Sequence, residues 1–141
     1  MKNVIKQRYY IDIDEDGTKH YYVNKVLHRE DGPAIEYANG SKEWYKNGKI
    51  HREDGPAIEW YDGTKEWYKN GLCHREDGPA RVYSDRSKHW YKNGKRHRED
   101  GPAIYYLNGY KEWWLNGKHY GYSKKFTSKS WKIFVKTLIF S

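Results

Sequence analysis

The sequence predicts an all-β fold, a single-layer antiparallel β-meander of 23-residue hairpin repeats with a short C-terminal helix. Three observations predict it. The heptapeptide His-Arg-Glu-Asp-Gly-Pro-Ala begins at His28, His51, His74 and His97, always 23 residues apart, and a fixed period of this length marks an array of stacked units. Between these boxes, short aromatic and β-branched runs alternate with Gly, Pro, Asn and Asp, at spacings too short for helices. The chain of 141 residues has 15 Tyr and 7 Trp but 3 Phe and 1 Met. Such an inventory suits half-wet surfaces, where the ring packs and its polar atom meets water, and not a thick dry core.

The length fits one domain, residues 1–141, by the usual relation of chain length to domain count. Residues 1–27 form an N-terminal cap with a worn repeat. Its Gly17-Thr18-Lys19-His20-Tyr21-Tyr22 matches Gly40-Ser41-Lys42-Glu43-Trp44-Tyr45, but it lacks the box; terminal units are atypical because they close the stack. The repeats are 28–50, 51–73, 74–96 and 97–119, and 120–141 is a basic C-terminal cap.

Each unit reads as two strands, Ala34-Ile35-Glu36-Tyr37 and Lys42-Glu43-Trp44-Tyr45-Lys46, joined at Asn39-Gly40. Asn-Gly is a strong hairpin signal because both residues tolerate positive φ. Asn47-Gly48 then opens a longer connection through the next box. Stacked units give roughly ten strands about 4.8 Å apart, with equivalent residues recurring roughly every 10 Å. Three aromatic ladders result: Tyr21, Trp44, Trp67, Trp90 and Trp113; on the opposite face Tyr22, Tyr45, Tyr68, Tyr91 and Trp114; and Tyr37, Trp60, Tyr83 and Tyr106. Cross-strand aromatic pairs contribute roughly 0.2–1 kcal/mol each, so their sum, and no one pair, holds a single layer.

His51-Arg52-Glu53-Asp54 resembles an acid–base centre, but it occurs four times. Copies roughly 10 Å apart cannot converge on one metal with ligands near 2.1 Å. The expectation is structural. Asp54-Gly55-Pro56 supplies turn chemistry, with Gly freeing φ and Pro fixing it. Arg52 and Glu53 pair with their counterparts one repeat away, and His51 bonds a backbone carbonyl. The functional alternative is a row of Arg and His along one edge that grips an anion.

Function is sought where the period fails. The third unit differs most: Arg81 replaces Ile35, Ile58 and Ile104; Asp85-Arg86 replaces the turn Asn-Gly or Asp-Gly; His89 replaces Glu43, Glu66 and Glu112; Arg96 replaces Ile50 or Cys73. With Lys88, Trp90 and Tyr91 these make a candidate ligand-binding set, since interleaved cations and aromatics suit a stacked base with a phosphate. Arg86 in place of Gly predicts a bulge or a longer loop.

In the tail, Trp131, Phe134, Val135 and Leu138 follow the i, i+3, i+4, i+7 spacing of an apolar helical stripe, with Ser128 or Ser130 as cap. A strand is the alternative. The helix is expected to cover the last sheet edge, with docking of a second subunit or contact with an anionic membrane as alternatives. The net charge is +8, and residues 120–141 hold five lysines and no acid, which leaves 22 Lys and Arg against 19 Asp and Glu before them. Basic excess favours anionic partners. Cys73 is alone, which excludes an internal disulfide or a paired-cysteine metal site and fits a reducing compartment. The opening residues carry no signal-peptide pattern, so a cytoplasmic location is expected.

The HREDGPA box with "EWYKNGK" resembles repeat arrays in proteins of bacteriophages and large DNA viruses. More distantly, the Asn-Gly after the Trp-Tyr strand, the His of "GKxH" and Asp62-Gly63-Thr64 are similar to the MORN (membrane occupation and recognition nexus) repeat. The resemblance spans about residues 12–119. It implies a non-catalytic repeat scaffold of β-hairpins, of viral origin, acting in the host cytoplasm as a counter-defence factor. The box Gly falls four residues after the His, away from the MORN positions, so anionic-lipid membrane-surface binding as in MORN proteins is the least favoured of the functions the resemblance implies.

The expected function is therefore binding without catalysis, metal or cofactor. The partner is a host protein or an anionic, nucleotide-like small molecule. The alternative is a protein–protein assembly scaffold, with a homo-oligomer formed through the C-terminal segment. Nucleic acid is a conceivable partner with no specific support. An enzyme using the box is disfavoured because no box is unique and no nucleophile accompanies it.

Overall fold

A computed structural model describes residues 8–141; the first seven residues of the expected N-terminal cap lie outside the described residues. The chain is a mostly β-hairpin meander with one C-terminal helix. A twelve-stranded antiparallel sheet runs from Tyr10–Ile13 at one edge to Lys118–Tyr122 at the other. Three two-stranded ribbons branch from it.

Each of the first three units contains four very short strands and not two, while in the fourth the later three become two longer strands, Lys111–Leu115 and Lys118–Tyr122. In the first, Ile35–Glu36 pairs with Lys42–Glu43 in the main sheet, and Tyr45–Lys46 pairs with Lys49–Ile50 in a ribbon. The turn assignments differ from expectation accordingly. Asn47 and Gly48 both have positive φ, 51° and 76°, which is the tight two-residue hairpin geometry. The expected longer connection is therefore a second hairpin. The Asn39-Gly40 corner is instead a three-residue loop closed by the Tyr37 N–H on the Ser41 carbonyl (2.9 Å) and the Gly40 N–H on the Tyr37 carbonyl (3.0 Å). Only Gly40 is left-handed there, at 89°.

The loops lock to one another. Asn39 Oδ1 accepts from the Ser41 N–H, and buried Ser41 Oγ accepts from the Tyr61 N–H one unit on, both at 2.9 Å. Thr18 and Thr64 repeat the second link. The third unit keeps this loop. Arg86 adopts φ 68°, and the Arg86 N–H still reaches the Tyr83 carbonyl at 2.9 Å, so no longer loop forms.

The helix α1, Ser128–Ile139, is capped by Thr127, whose hydroxyl accepts from the Ser130 N–H in a capping box. The cap thus falls one residue before Ser128, with the other expected serine, Ser130, as its reciprocal partner three residues on. Trp131 and Val135 are buried against Trp113 and Leu115, while Leu138 of the expected stripe is exposed. The helix lies on the face of the last strands, over Trp113, and not along the outer edge. Trp113 is the one member of its ladder with no box after it, and the Trp131 ring stands 5.4 Å from it. No helix among the described residues is long and apolar enough to cross a membrane.

Candidate functional site

The two sheet faces carry different chemistry, and each box belongs to one of them. The Arg52 guanidinium lies 3.9 Å over the Trp44 ring; Arg29 on Tyr21, Arg75 on Trp67 and Arg98 on Trp90 repeat this at 3.9–4.0 Å. The Trp ladder is thus interleaved with cations. Arg52 Nε donates to Asp54 Oδ1 at 2.9 Å and Nη1 to the Pro56 carbonyl at 3.1 Å. The expected pairing of Arg and Glu between repeats is replaced by pairing within the box, because Asp54 is two residues away and on the same side.

Gly55 does not have positive φ. A Cβ there would sit 3.1 Å from Arg52 Cζ. Its role is close approach, not the φ freedom expected from sequence. His51 also departs from expectation: its Nδ1 accepts from the Asn70 backbone N–H at 2.9 Å, and its Nε2 meets Glu53 Oε1 at 2.9 Å. The other three boxes repeat both contacts. Because Nδ1 is an acceptor, Nε2 carries the proton and donates to the glutamate.

Box His and Arg therefore turn inward, and Glu53 and Asp54 turn outward into solvent. Between successive boxes lie clefts of about 500, 590 and 710 Å³, lined by these carboxylates together with the box Arg and His and one ribbon lysine each, Lys46, Lys69 or Lys92. Each box Arg in these clefts is already paired with the Asp two residues on, and each box His with the Glu two residues on.

The opposite face holds the Tyr45 and Tyr37 ladders. Glu43, buried, accepts from the Tyr37 and Tyr45 hydroxyls, both at 2.9 Å. Burial, followed by the hydrogen bond to Glu43, pushes the Tyr37 hydroxyl up to about 12. Glu66 repeats the arrangement with Trp60 Nε1 and the Tyr68 hydroxyl.

In the third unit this pattern is rebuilt. Arg81 pairs across the strands with both Glu66 and His89. Its Nε is 3.0 Å from Glu66 Oε2, its Nη2 donates to the Tyr68 hydroxyl at 2.7 Å, and its Cζ lies 5.3 Å over the Tyr91 ring. Arg96 sits directly across the ribbon from Tyr91, with its Cζ 4.8 Å over the Trp114 ring. The result is an alternating row: Tyr68, Arg81, Tyr91, Arg96, Trp114. Among the described residues Arg96 has no carboxylate within ion-pair distance, whereas Arg81 has Glu66.

His89 is buried between the Tyr83 and Tyr106 rings, at 4.8 and 5.8 Å, and neither ring nitrogen has a partner. Burial, then the neighbouring Arg96 and Arg81 charges, lower its pKa to about 4, so it is neutral at pH 7. It stands where Glu43, Glu66 and Glu112 stand, and removes a negative charge from beside Arg96.

Of the seven sequence candidates, Arg81, His89, Tyr91 and Arg96 come together. Lys88 is on the other face, opposite Val82, and Trp90 is there too, under Arg98. Arg86 projects from the loop. Glu66, Tyr68 and Trp114 join the site without having been singled out. The signal that finds them is the alternation of strand side chains, which puts 89 and 91 on one face and 88 and 90 on the other. No protein-family model matches the chain, and no curated protein matches it.

Proposed function

We propose that the chain is a non-catalytic binding protein that holds an anionic, nucleotide-like ligand on the Tyr-rich face of its third unit. The observation that carries this is Arg96, a cation stacked on Trp114 and flanked by Tyr91 without a carboxylate of its own. A planar base stacks against the half-buried Tyr91 and Trp114 rings, and the phosphate is drawn to Arg96, which has no carboxylate within ion-pair distance although Glu112 accepts from the Trp114 Nε1 nearby at 2.8 Å. Arg81 orients Tyr68 and Tyr91, its own charge being matched by Glu66. The viral resemblance supports a counter-defence role for such binding, as sequestration of a host signal in the host cytoplasm. The four boxes, with every Arg committed to its own Asp, act as scaffold and not as catalyst.

Thermal shift against a nucleotide panel, including cyclic dinucleotides, tests this reading. A ligand should raise the melting temperature, and Arg96→Ala should weaken it at least about tenfold, the scale of one lost charge-assisted contact. A panel without a shift, or an affinity unchanged in Arg96→Ala, overturns it.

A second reading, an assembly scaffold, is favoured by exposed Ile133, Ile139 and Phe140 on and beyond α1. Ile133→Lys with Phe140→Lys should then reduce the solution mass measured by light scattering.

A further inference from the structure

Among the described residues the first strand, Tyr10–Ile13, is the outer edge of the sheet, and its pairing shows which of its backbone groups turn away from the sheet. It pairs with Lys19–Val23 in the register Tyr10 with Tyr22, Ile11 with Tyr21, Asp12 with His20 and Ile13 with Lys19. The Asp14 N–H bonds the Thr18 carbonyl at 2.9 Å. In an antiparallel ladder, hydrogen-bonded and non-hydrogen-bonded pairs alternate, so Asp12 and Tyr10 also bond inward. Tyr21 confirms this from the other side: its N–H goes to the Ala34 carbonyl at 2.8 Å and its carbonyl accepts from His28 at 3.1 Å. Ile11 and Ile13 therefore aim N–H and C=O outward, where no described strand pairs with them. Their side chains are large, apolar and exposed, at 47% and 59%, beside Tyr10 at 69%.

We propose that this edge joins a second copy of the chain, strand to strand about a two-fold axis at Ile11, doubling the sheet. Charge selects the register. Centring on Asp12 or Ile13 would set carboxylates against each other, Asp12 on Asp12 or Asp12 on Asp14, and like charges directly opposite are unfavourable. Centring on Ile11 sets Arg8 opposite Asp14 of the other copy and Tyr10 opposite Asp12. Arg8 is exposed, and among the described residues Asp14 has only His20 within ion-pair distance, at 3.8 Å. The same register pairs Tyr9 with Ile13, so the outward groups of Tyr9, Ile11 and Ile13 are all matched. Identical strands paired in this way keep their faces, so both Tyr-rich faces lie on one side and the dimer presents two ligand sites together.

Sedimentation of the full chain across a concentration series tests the proposal. A monomer–dimer equilibrium is expected. Ile11→Pro removes one outward donor and leaves the ladder to Lys19–Val23 intact, since proline is tolerated on the solvent side of an edge. It should give a monomer with unchanged circular dichroism. Arg8→Asp should weaken association about tenfold, and Arg8→Asp with Asp14→Arg should restore it, which keeps the test alive if the proline variant unfolds. A wild-type monomer at all concentrations overturns the proposal. So does a dimer untouched by these changes, or one lost only through Ile133→Lys and Phe140→Lys. Nucleotide binding to the monomeric variant remains separately measurable, so failure here does not decide the ligand site.

Discussion

Arg52 lies over Trp44, its guanidinium carbon 3.9 Å from the ring centre, and Gly55 approaches it so closely that an added Cβ would come 3.1 Å from the same carbon and displace it. The contact recurs at all four boxes, and it explains why a glycine without positive φ stands in each. Cation–π contacts contribute roughly 0.5–1 kcal/mol when exposed and about 2 kcal/mol or more when desolvated. Gly55→Ala should therefore destabilise the chain by about 1–2 kcal/mol by lifting the guanidinium off the ring. In an Arg52→Ala background the same change should be close to neutral. Thermal or urea unfolding of the four proteins in this cycle measures the coupling directly.

Arg86 supplies the complementary case, a position with room for a side chain but an unsuitable backbone. Its φ of 68° is left-handed, where residues with a Cβ are disfavoured by roughly 1–2 kcal/mol. The equivalent Gly40, Gly63 and Gly109 adopt φ of 85–90°, and a Cβ added at any of them would meet nothing within 4 Å. Arg86→Gly should thus stabilise the chain, by about 1 kcal/mol after the greater unfolded-state freedom of glycine is subtracted. Ligand affinity should stay unchanged, since Arg86 lies on the loop and away from Arg96. A raised melting temperature with an unaltered binding isotherm is the expected pair of results.

The repeat period, the aromatic ladders and the helical tail are legible in the sequence because each is a spacing rule. The turns are less so, since Asn39-Gly40 and Asn47-Gly48 read alike. Which one becomes the tight hairpin depends on the Asn39 side chain binding the Ser41 N–H. The box was legible as structural but not in detail. Arg52 reaches back eight residues to Trp44, and nothing local in Asp-Gly-Pro reports that contact. In the candidate site, strand parity separates Lys88 and Trp90 from His89 and Tyr91. The junction of Arg96 with Trp114 required the ribbon geometry of Tyr91–Lys92 and Lys95–Arg96.

His89 gives the fold a pH dependence between about pH 4 and pH 6.5. Its folded-state pKa is near 4 against an ordinary 6.5, so below pH 6.5 the unfolded chain binds the extra proton. Stability is full above that pH, falls as pH drops from about 6.5 to about 4, and changes no further on this account below it. The full effect is on the order of 3 kcal/mol. Arg81 and Arg96 oppose protonation, while Glu112 and Asp85 favour it weakly. His89→Phe keeps a ring between Tyr83 and Tyr106 and removes the titration. Its unfolding free energy should lose less between pH 7 and pH 4.5 than the wild type does, and an equal loss in both would exclude His89 as the source.

Trp131 closes the stack where a fifth box would otherwise begin. Each earlier ladder ring is covered by the arginine of the following box, and Trp113 has none. Trp131 takes that place, fully buried, with Phe126 at 5.0 Å and its Nε1 donating to the Arg98 carbonyl at 2.8 Å. Removing it costs the burial of a large ring and leaves that carbonyl unpaired, so Trp131→Ala should destabilise by about 3–5 kcal/mol. The loss should start at the C-terminal end, because units in a stacked array depend on their neighbours. Hydrogen exchange should show α1 and Lys111–Leu115 losing protection first, with the strand Ile35–Glu36 affected least. Trp131→Phe should recover much of the packing but not the bond to Arg98, and its stability should fall between the two.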